Sequence, residues 1–357
     1  MYLRLVRVKI PRISLNSSNL KYYVSIADSS KELHRSRIVS FLPSSTEMLY
    51  AIGAADQITG VTHECKYPDD AKGKPKVINS SFDATSMTSR EIDNKILGLM
   101  KTGGNIYVIN DQNLKDAKPD LIIAQGVCEV CAPFTKEIDR ANSILGYKPD
   151  LLVLDPHDLD DILVSIMDIA EKVGRVSEGR RLVASLQNRI DTIRRLVGDA
   201  IKRKGVGNNG IDNANNTKPR IVCVEWIDPF FTAGHWIPQM VDIAGGINGL
   251  STVGQPSRRI SIDEILEYNP DKIILMPCGF DIDRTSKEVK VLENNDKWKS
   301  LQAVRRNEVY AVDANAYFSK PGPRTVTGVE ILAKIMYPES SRLTDLPANS
   351  FTKIRTN

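Results

Sequence analysis

From residue 37 onward, short β-rich runs alternate with longer stretches of helical periodicity. Residues 37–41 (RIVSF) predict a strand, followed by a helix over 45–52 with Ser44 or Ser45 as its N-cap. Further strands are predicted at 58–62, 106–109, 120–125 (DLIIAQ, apolar enough to be buried on both faces) and 151–154, with a helix over 134–145. Strands separated by helices imply a parallel sheet and an open α/β lobe.

The stretch 158–204 differs in kind. Leu159, Ile162, Leu163, Ile166, Ile169, Ala170 and Val173 recur at helical spacing, and after Gly174 a second, longer run follows through Leu182, Leu186, Ile190, Ile193 and Val197. Residues 205–218 (GVGNNGIDNANNTK) then lose all apolar periodicity and read as an exposed loop. Alternation resumes with strands at 220–226, 271–276 and 309–312, and helices at 237–244, 262–268, 298–304 and 325–336. The segments 114–125 (LKDAKPDLIIAQ) and 265–276 (ILEYNPDKIILM) share the order helix end, Pro, Asp, buried strand, a faint internal repeat. The predicted organisation is an extension (1–36), an α/β lobe (37–157), linking helices (158–204), a loop (205–218), a second α/β lobe (219–336) and a tail (337–357) trailing over the surface. The fold class is therefore α/β, with two open lobes joined by a long helix.

A chain of 357 residues exceeds one ordinary hydrophobic core, which agrees with two lobes. Its net charge of +4, with both signs mixed along the chain, gives no basic stripe for nucleic acid. No run approaches the roughly 20 apolar residues of a membrane span. Arg4, Arg7, Lys9 and Arg12 interrupt the apolar residues at the start, so no export signal is visible. The odd number of cysteines, five, argues for reduced thiols. Both observations point to the cytoplasm.

Ligands of open α/β sheets bind beyond the carboxyl ends of the strands. The segments there are 43–46, 63–65, 126–131, 227–231, 234–236, 278–280 and 315–323, and with Trp226 at the end of its strand they bring Phe230, Phe231, Trp236, Phe280, Tyr317 and Phe318 in a chain only 6% aromatic. An aromatic cleft with few polar groups suits a flat, partly apolar organic ligand; for any one ring, packing under its lobe is the plainer explanation. His63, Cys65, Cys128 and Cys131 are the residue types that bind zinc and other borderline metals, yet their spacing is no standard zinc signature, so metal contact, redox chemistry and packed thiols all stay open. Cys223, inside an apolar strand, reads as core, while His34 and His157 read as structural or exposed. No P-loop, G-x-G-x-x-G or G-x-S-x-G occurs, and no catalytic constellation emerges.

Residues 39–68 (VSFLPSSTEMLYAIGAADQITGVTHECKYP) resemble the opening of substrate-binding proteins of ABC importers, of the helical-backbone type that carries cobalamin, haem and iron siderophores. WIDPFFTAGHWIPQMVDIAGG (226–246), RISIDEILEYNPDKIIL (259–275) and FSKPGPR (318–324) follow in that family's order, so the resemblance spans about 37–336 and is strongest to cobalamin binders. It implies a monomer that captures a corrinoid between its lobes without catalysis or a resident cofactor, the long helix limiting closure. The implied cleft residues are His63, Glu64, Tyr67, Cys128, Glu129, Trp226, Phe230, His235, Trp236, Tyr317 and Phe318. Glu47 and Glu264 are implied to be exposed carboxylates that meet arginines of a permease; as helix-start glutamates they have a plainer role in favouring the helix dipole. The resemblance also implies a place outside the cytoplasm, against the missing export signal. Two alternatives remain: an iron-siderophore or haem binder of the same fold, and a cytoplasmic metal-dependent or redox protein using His63 and the cysteines.

Overall fold

The computed structural model describes residues 36–126, 135–205, 218–339 and 346–355. The first lobe runs β1 (Ile38–Ser40), α1 (Pro43–Ala51), β2 (Ile58–Thr62), β3 (Lys76–Ser80), α2 (Ser89–Thr102), β4 (Tyr107–Ile109), α3 (Asp111–Ala117), β5 (Leu121–Gln125), α4 (Thr135–Leu145) and β6 (Asp150–Leu154). Its strand order is β4-β3-β2-β1-β5-β6, parallel except for β4. The chain leaves β1 toward β2 and later returns on the other side as β5, so a topological switch point lies between β1 and β5.

Two helices connect the lobes. In α5 (Leu159–Lys172) the Asp158 side chain caps the first turn by accepting from the Asp161 amide, and Leu159, Ile162, Leu163, Ile166 and Ile169 form its buried stripe. Next, α6 (Val176–Gly205) runs for 30 residues, about 45 Å at 1.5 Å per residue. It buries Leu186, Ile190, Ile193 and Val197.

The second lobe contains β7 (Arg220–Trp226), β8 (Phe231–Thr232), α7 (Ile237–Ile243), β9 (Ile247–Asn248), β10 (Arg258–Arg259), α8 (Ile262–Tyr268), β11 (Lys272–Leu275), α9 (Ile282–Glu288), α10 (Asp296–Ser300), α11 (Gln302–Arg305), β12 (Val309–Val312), α12 (Ala314–Tyr317), α13 (Thr325–Met336) and β13 (Phe351–Lys353). Its strand order is β10-β8-β7-β11-β12-β13, with β9 beside β7. Arg189 of α6 grips α13, its guanidinium donating to Glu330 at 2.7 and 2.9 Å and to Thr327 at 2.8 Å. One apolar cluster runs from Ile38 and Met48 of the first lobe through Ile162 and Ile190 to Ile221, Met240 and Val329 of the second. The lobes thus share a core along this side.

The internal repeat is a structural equivalence. Lys118 and Asn269 end α3 and α8 in the left-handed region (φ 41° and 48°), each followed by Pro-Asp. The Asp120 and Asp271 carboxylates then accept the backbone N–H of Arg37 and Arg220 at 2.9 and 2.8 Å, fixing where the neighbouring central strands β1 and β7 begin.

Four expectations change. α1 starts at Pro43, and its N-cap is Leu42 with no side-chain cap, because the Ser45 hydroxyl turns inward to the Leu42 carbonyl (3.1 Å). The helix expected over 298–304 breaks at Leu301 into α10 and α11. The tail is not all trailing: β13 pairs antiparallel with β12. Finally, β3 and α2 were not anticipated, although Thr88 and Glu91 make a reciprocal capping box and Gly103 ends α2 at φ 68°.

Candidate functional site

A cleft of about 780 Å³ lies where the two sheets' carboxyl ends face each other. That volume is in the upper part of the roughly 300–1,000 Å³ range of small-molecule sites. Ser44 and Gln125 reach it from the switch point of the first sheet, Glu225 and Cys278 from the ends of the adjacent strands β7 and β11. A second wall comes from the unanticipated segment, where Phe82, Ile96, Leu97 and Met100 line the cleft, joined by Tyr107 of β4. Leu97 and Met100 are 38% and 54% exposed there, apolar surface turned to an open space.

His63 follows β2. Its backbone N–H donates to the Ile78 carbonyl at 2.9 Å, and Nδ1 lies 3.3 Å from the same oxygen, which can only accept, so the proton belongs on Nδ1. Nε2 is 3.7 Å from the Glu64 carboxylate. Burial holds His63 below the ordinary histidine range despite Glu64. Burial also works against the Glu64 charge, but Lys66 and Lys320 outweigh it and hold this carboxyl below its usual range. Lys320, a cleft residue, is itself pushed down by burial, with Glu64 and Glu47 opposing. Among the described residues Lys320 makes no ion pair within 4 Å, whereas the cleft's Arg259 is bound to Asp93 and Arg284 to the carbonyls of Ala84 and Met87. The Asn315 Oδ1, also on the wall, is buried without a hydrogen-bond partner.

On the other side, the Trp226 indole packs edge-on to Phe280 (5.4 Å) and donates to the Ser89 carbonyl at 3.2 Å. His235 sits at φ 51°, held there because its N–H donates to the Gln255 carbonyl (2.7 Å) while its own carbonyl accepts from Gly254 (3.0 Å). The preceding Gly234 is required for this close approach, since a Cβ would lie 2.4 Å from the Gln255 oxygen. Burial first, and then the charge of neighbouring His157, lowers the His235 pKa, Asp155 opposing. Trp236 and Phe318 are 7% and 2% exposed and form the floor, the indole donating to the Phe318 carbonyl at 2.9 Å.

The expected cleft residues therefore divide. His63, Glu64, Trp226, His235, Trp236 and Phe318 come together. Tyr67 and Tyr317 do not line the cleft, because their rings lie against the Arg324 guanidinium at 4.0 and 5.8 Å. Phe230 stacks on Trp298 (6.1 Å) in the second lobe's own core, and Phe231 takes the cleft position instead. Cys128, Glu129 and Cys131 fall outside the described residues.

Cys65 is corrected as a metal ligand. The residue is 1% exposed, its sulfur lies 3.1 and 3.3 Å from the hydroxyls of Thr46 and Thr62, and burial raises its pKa, so it is a packed thiol. Among the described residues no group of three His, Cys, Asp or Glu is placed to hold a metal ion.

Of the two docking carboxylates, Glu47 is corrected: it is not exposed. Glu47 is 5% exposed and accepts two hydrogen bonds from Arg324, at 2.6 and 2.9 Å, across the lobes. Glu264 closes the capping box of α8 through the Ser261 N–H (2.8 Å) and pairs with Arg258 (2.8 Å). Glu47 is therefore not free to meet a partner's arginine, whereas the Glu264 side chain stays 39% exposed in a surface pair.

Sequence reasoning passed over the α2 wall, Lys320 and Arg284. The signal for the wall was present: T-x-x-E at 88–91, apolar residues at 92, 96 and 100, and Gly103. Nothing local marks Lys320, whose setting depends on Glu64 of the other lobe.

Comparison with known proteins places this geometry. Residues 38–316 match the family described as periplasmic binding protein. An uncharacterized ABC transporter substrate-binding lipoprotein of Bacillus subtilis is 25% identical over 308 residues, 85% of this chain and 81% of that protein. A vitamin B12-binding protein of Vibrio cholerae is 22% identical over 300 residues, 82% of this chain and 86% of its own length. Among solved structures, a periplasmic heme-binding protein from Pseudomonas aeruginosa superimposes with a TM-score of 0.63 at 15% identity (85% of this chain, 93% of that one). The periplasmic vitamin B12-binding protein of Vibrio cholerae gives 0.57 at 21% (86% and 98%). These likenesses carry the two-lobed fold, and with the family match over residues 38–316 they lead to one conclusion: the chain belongs to the periplasmic binding protein family.

Proposed function

We propose that this protein captures a corrinoid in the interlobe cleft and delivers it to an ABC-type importer, acting outside the cytoplasm as a monomer, without catalysis or a resident cofactor. The observation that carries this reading is the lining: a broad cleft of aromatic and aliphatic side chains in which the neutral polar groups Ser44, Gln125 and Asn315 stand beside the charged Glu64, Asp93, Glu225, Arg259, Arg284 and Lys320. A flat macrocycle fits such walls, and a periphery of carboxamides matches Gln125, Ser44 and the unpaired Asn315 acceptor, which needs an N–H donor. The relatives named for vitamin B12 binding support the same ligand. No helix among the described residues is long and apolar enough to cross a membrane.

A second reading, haem or a ferric siderophore, is favoured by one feature: the Lys320 ammonium, without an ion-pair partner within 4 Å among the described residues, suits a carboxylate on the ligand. The metal-dependent or redox alternative loses Cys65 to the core. Because Trp226 lines the cleft, titration of the purified protein with cyanocobalamin, haemin and a ferric hydroxamate, followed by tryptophan fluorescence, separates the readings. Saturable quenching by cyanocobalamin at one per chain is expected. A flat cobalamin titration beside a saturable haemin one would transfer the assignment to haem.

A further inference from the structure

One wall of the cleft is held in place differently from the rest. Helix α2 is 14 residues long but buries only Ser89 and Ile92. A helix of that length is marginal on its own, so something other than core packing must hold it. What holds it comes from the other lobe. Ser89, fully buried, donates its backbone N–H to Glu288 at 2.8 Å and its hydroxyl to the same carboxylate oxygen. Arg90 pairs with Asp228 (2.7 Å), Asp93 with Arg259 (2.7 Å), and Arg284 donates to the carbonyls of Ala84 and Met87 at 2.7 and 3.1 Å.

Arg284 and Glu288 stand four residues apart on α9, hence on one face. The cation takes the carbonyls of the loop entering α2, and the anion takes the N–H that opens the helix. Thr88 and Glu91 satisfy each other within the capping box, which leaves the Ser89 N–H for a partner across the cleft. A carboxylate is the partner a helix N-terminus favours. At the other end, Gly103 (φ 68°) and Gly104 follow α2, a place where the backbone can swing. Between hinge and catch, Ile96, Leu97 and Met100 face the cleft.

We propose that residues 81–104 form a lid that retains the ligand, latched to the second lobe by the hydrogen bonds of Ser89 to Glu288. The proposal rests on capture in this cleft but not on which ligand is captured. The bonds broken on opening, including that of the Trp226 indole to the Ser89 carbonyl, are polar and can be replaced by water, whereas the shared apolar core on the opposite side stays intact.

The test is hydrogen exchange of the ligand-free protein, compared for wild type, Glu288→Ala, Ser89→Ala and Glu288→Gln. Losing a hydrogen bond to a charged group should raise amide exchange in residues 81–104 by about tenfold or more in the two alanine variants, with Glu288→Gln in between and the rest of both lobes unchanged. Release of bound cyanocobalamin, or of haemin if that binds, should quicken by a similar factor in stopped flow. Unchanged exchange in both alanine variants, or a uniform rise over the whole chain, overturns the lid. Failure of every corrinoid to bind the wild type overturns the ligand assignment alone, since the exchange measurement needs no ligand. Ser89→Ala and the exposed Arg90→Ala keep the test decisive should Glu288→Ala fail to fold.

Discussion

The two lobes meet on two sides of the cleft, and the sides are built from different materials. On the side of α5 and α6 an apolar cluster runs from lobe to lobe, reinforced by the bidentate pair of Glu47 and Arg324. On the side of α2 the contacts are hydrogen bonds and ion pairs with little apolar burial beneath them. Apolar burial is lost when surfaces part, whereas polar groups that become wet on parting, the buried Ser89 and Glu288 included, exchange a protein partner for water. The first side is therefore a fixed seam and the second a reversible closure, although both appear as interlobe contacts. A salt bridge between lobes does not by itself say which it is. Burial does.

The sharpest way to break this comparison is to remove one partner from the seam. Arg324→Ala leaves the Glu47 carboxylate, 5% exposed in the intact protein, without its hydrogen-bonded partner and with only the more distant charge of Lys320, and stripping a buried ion pair of one member costs about 3–5 kcal/mol. Denaturant unfolding should show that loss. Arg324→Lys, which keeps the charge but not the two-pronged geometry, should recover only part of it. A loss below about 1 kcal/mol would place this pair with ordinary surface bridges and remove the distinction.

The matching change on the closure side is Arg90→Ala. The Arg90 side chain is 63% exposed, and bridges of that kind contribute about 0–1 kcal/mol to stability. Global unfolding should hardly move, while exchange of α2 amides and ligand release should both quicken. A destabilisation as large as that of Arg324→Ala would show the two sides to be equivalent.

How much of this was legible in the chain follows from how local each cause is. The Pro-Asp repeat marked real equivalence because its cause is local: a left-handed helix end, a proline and a carboxylate that sets the next strand. The two lobes, the linking helices and most strands followed from period alone. The wall of α2 was missed because its apolar positions are sparse and serve a cleft instead of a core, so the periodic signal is weak even though its caps are complete. Phe230 and Phe231 could not be distinguished, since only the pairing of β8 with β7 decides which faces the cleft. The resemblance implied an exposed Glu47, and nothing local to it marks its partner, Arg324, 277 positions away.

The smallest effect expected concerns the space between the two sides, where one imidazole from each lobe faces the cleft. Burial lowers the pKa of both His63 and His235. Around His63 stand Glu64, Lys66 and Lys320; around His235, His157 and Asp155. In the unfolded chain each imidazole takes its proton near about pH 6.5, and in the folded protein only at lower pH. Between those values the unfolded state binds more protons, so stability rises with pH through the window and declines as pH drops below about 6.5. Melting temperature should therefore fall as pH is lowered from about 7.5 to 5.5, above the range where most carboxylates titrate. His63→Gln and His235→Gln, which keep polar side chains but cannot charge, should each flatten that slope, and the double variant should flatten it most. An undiminished slope in the double variant would assign the pH response to groups outside the cleft.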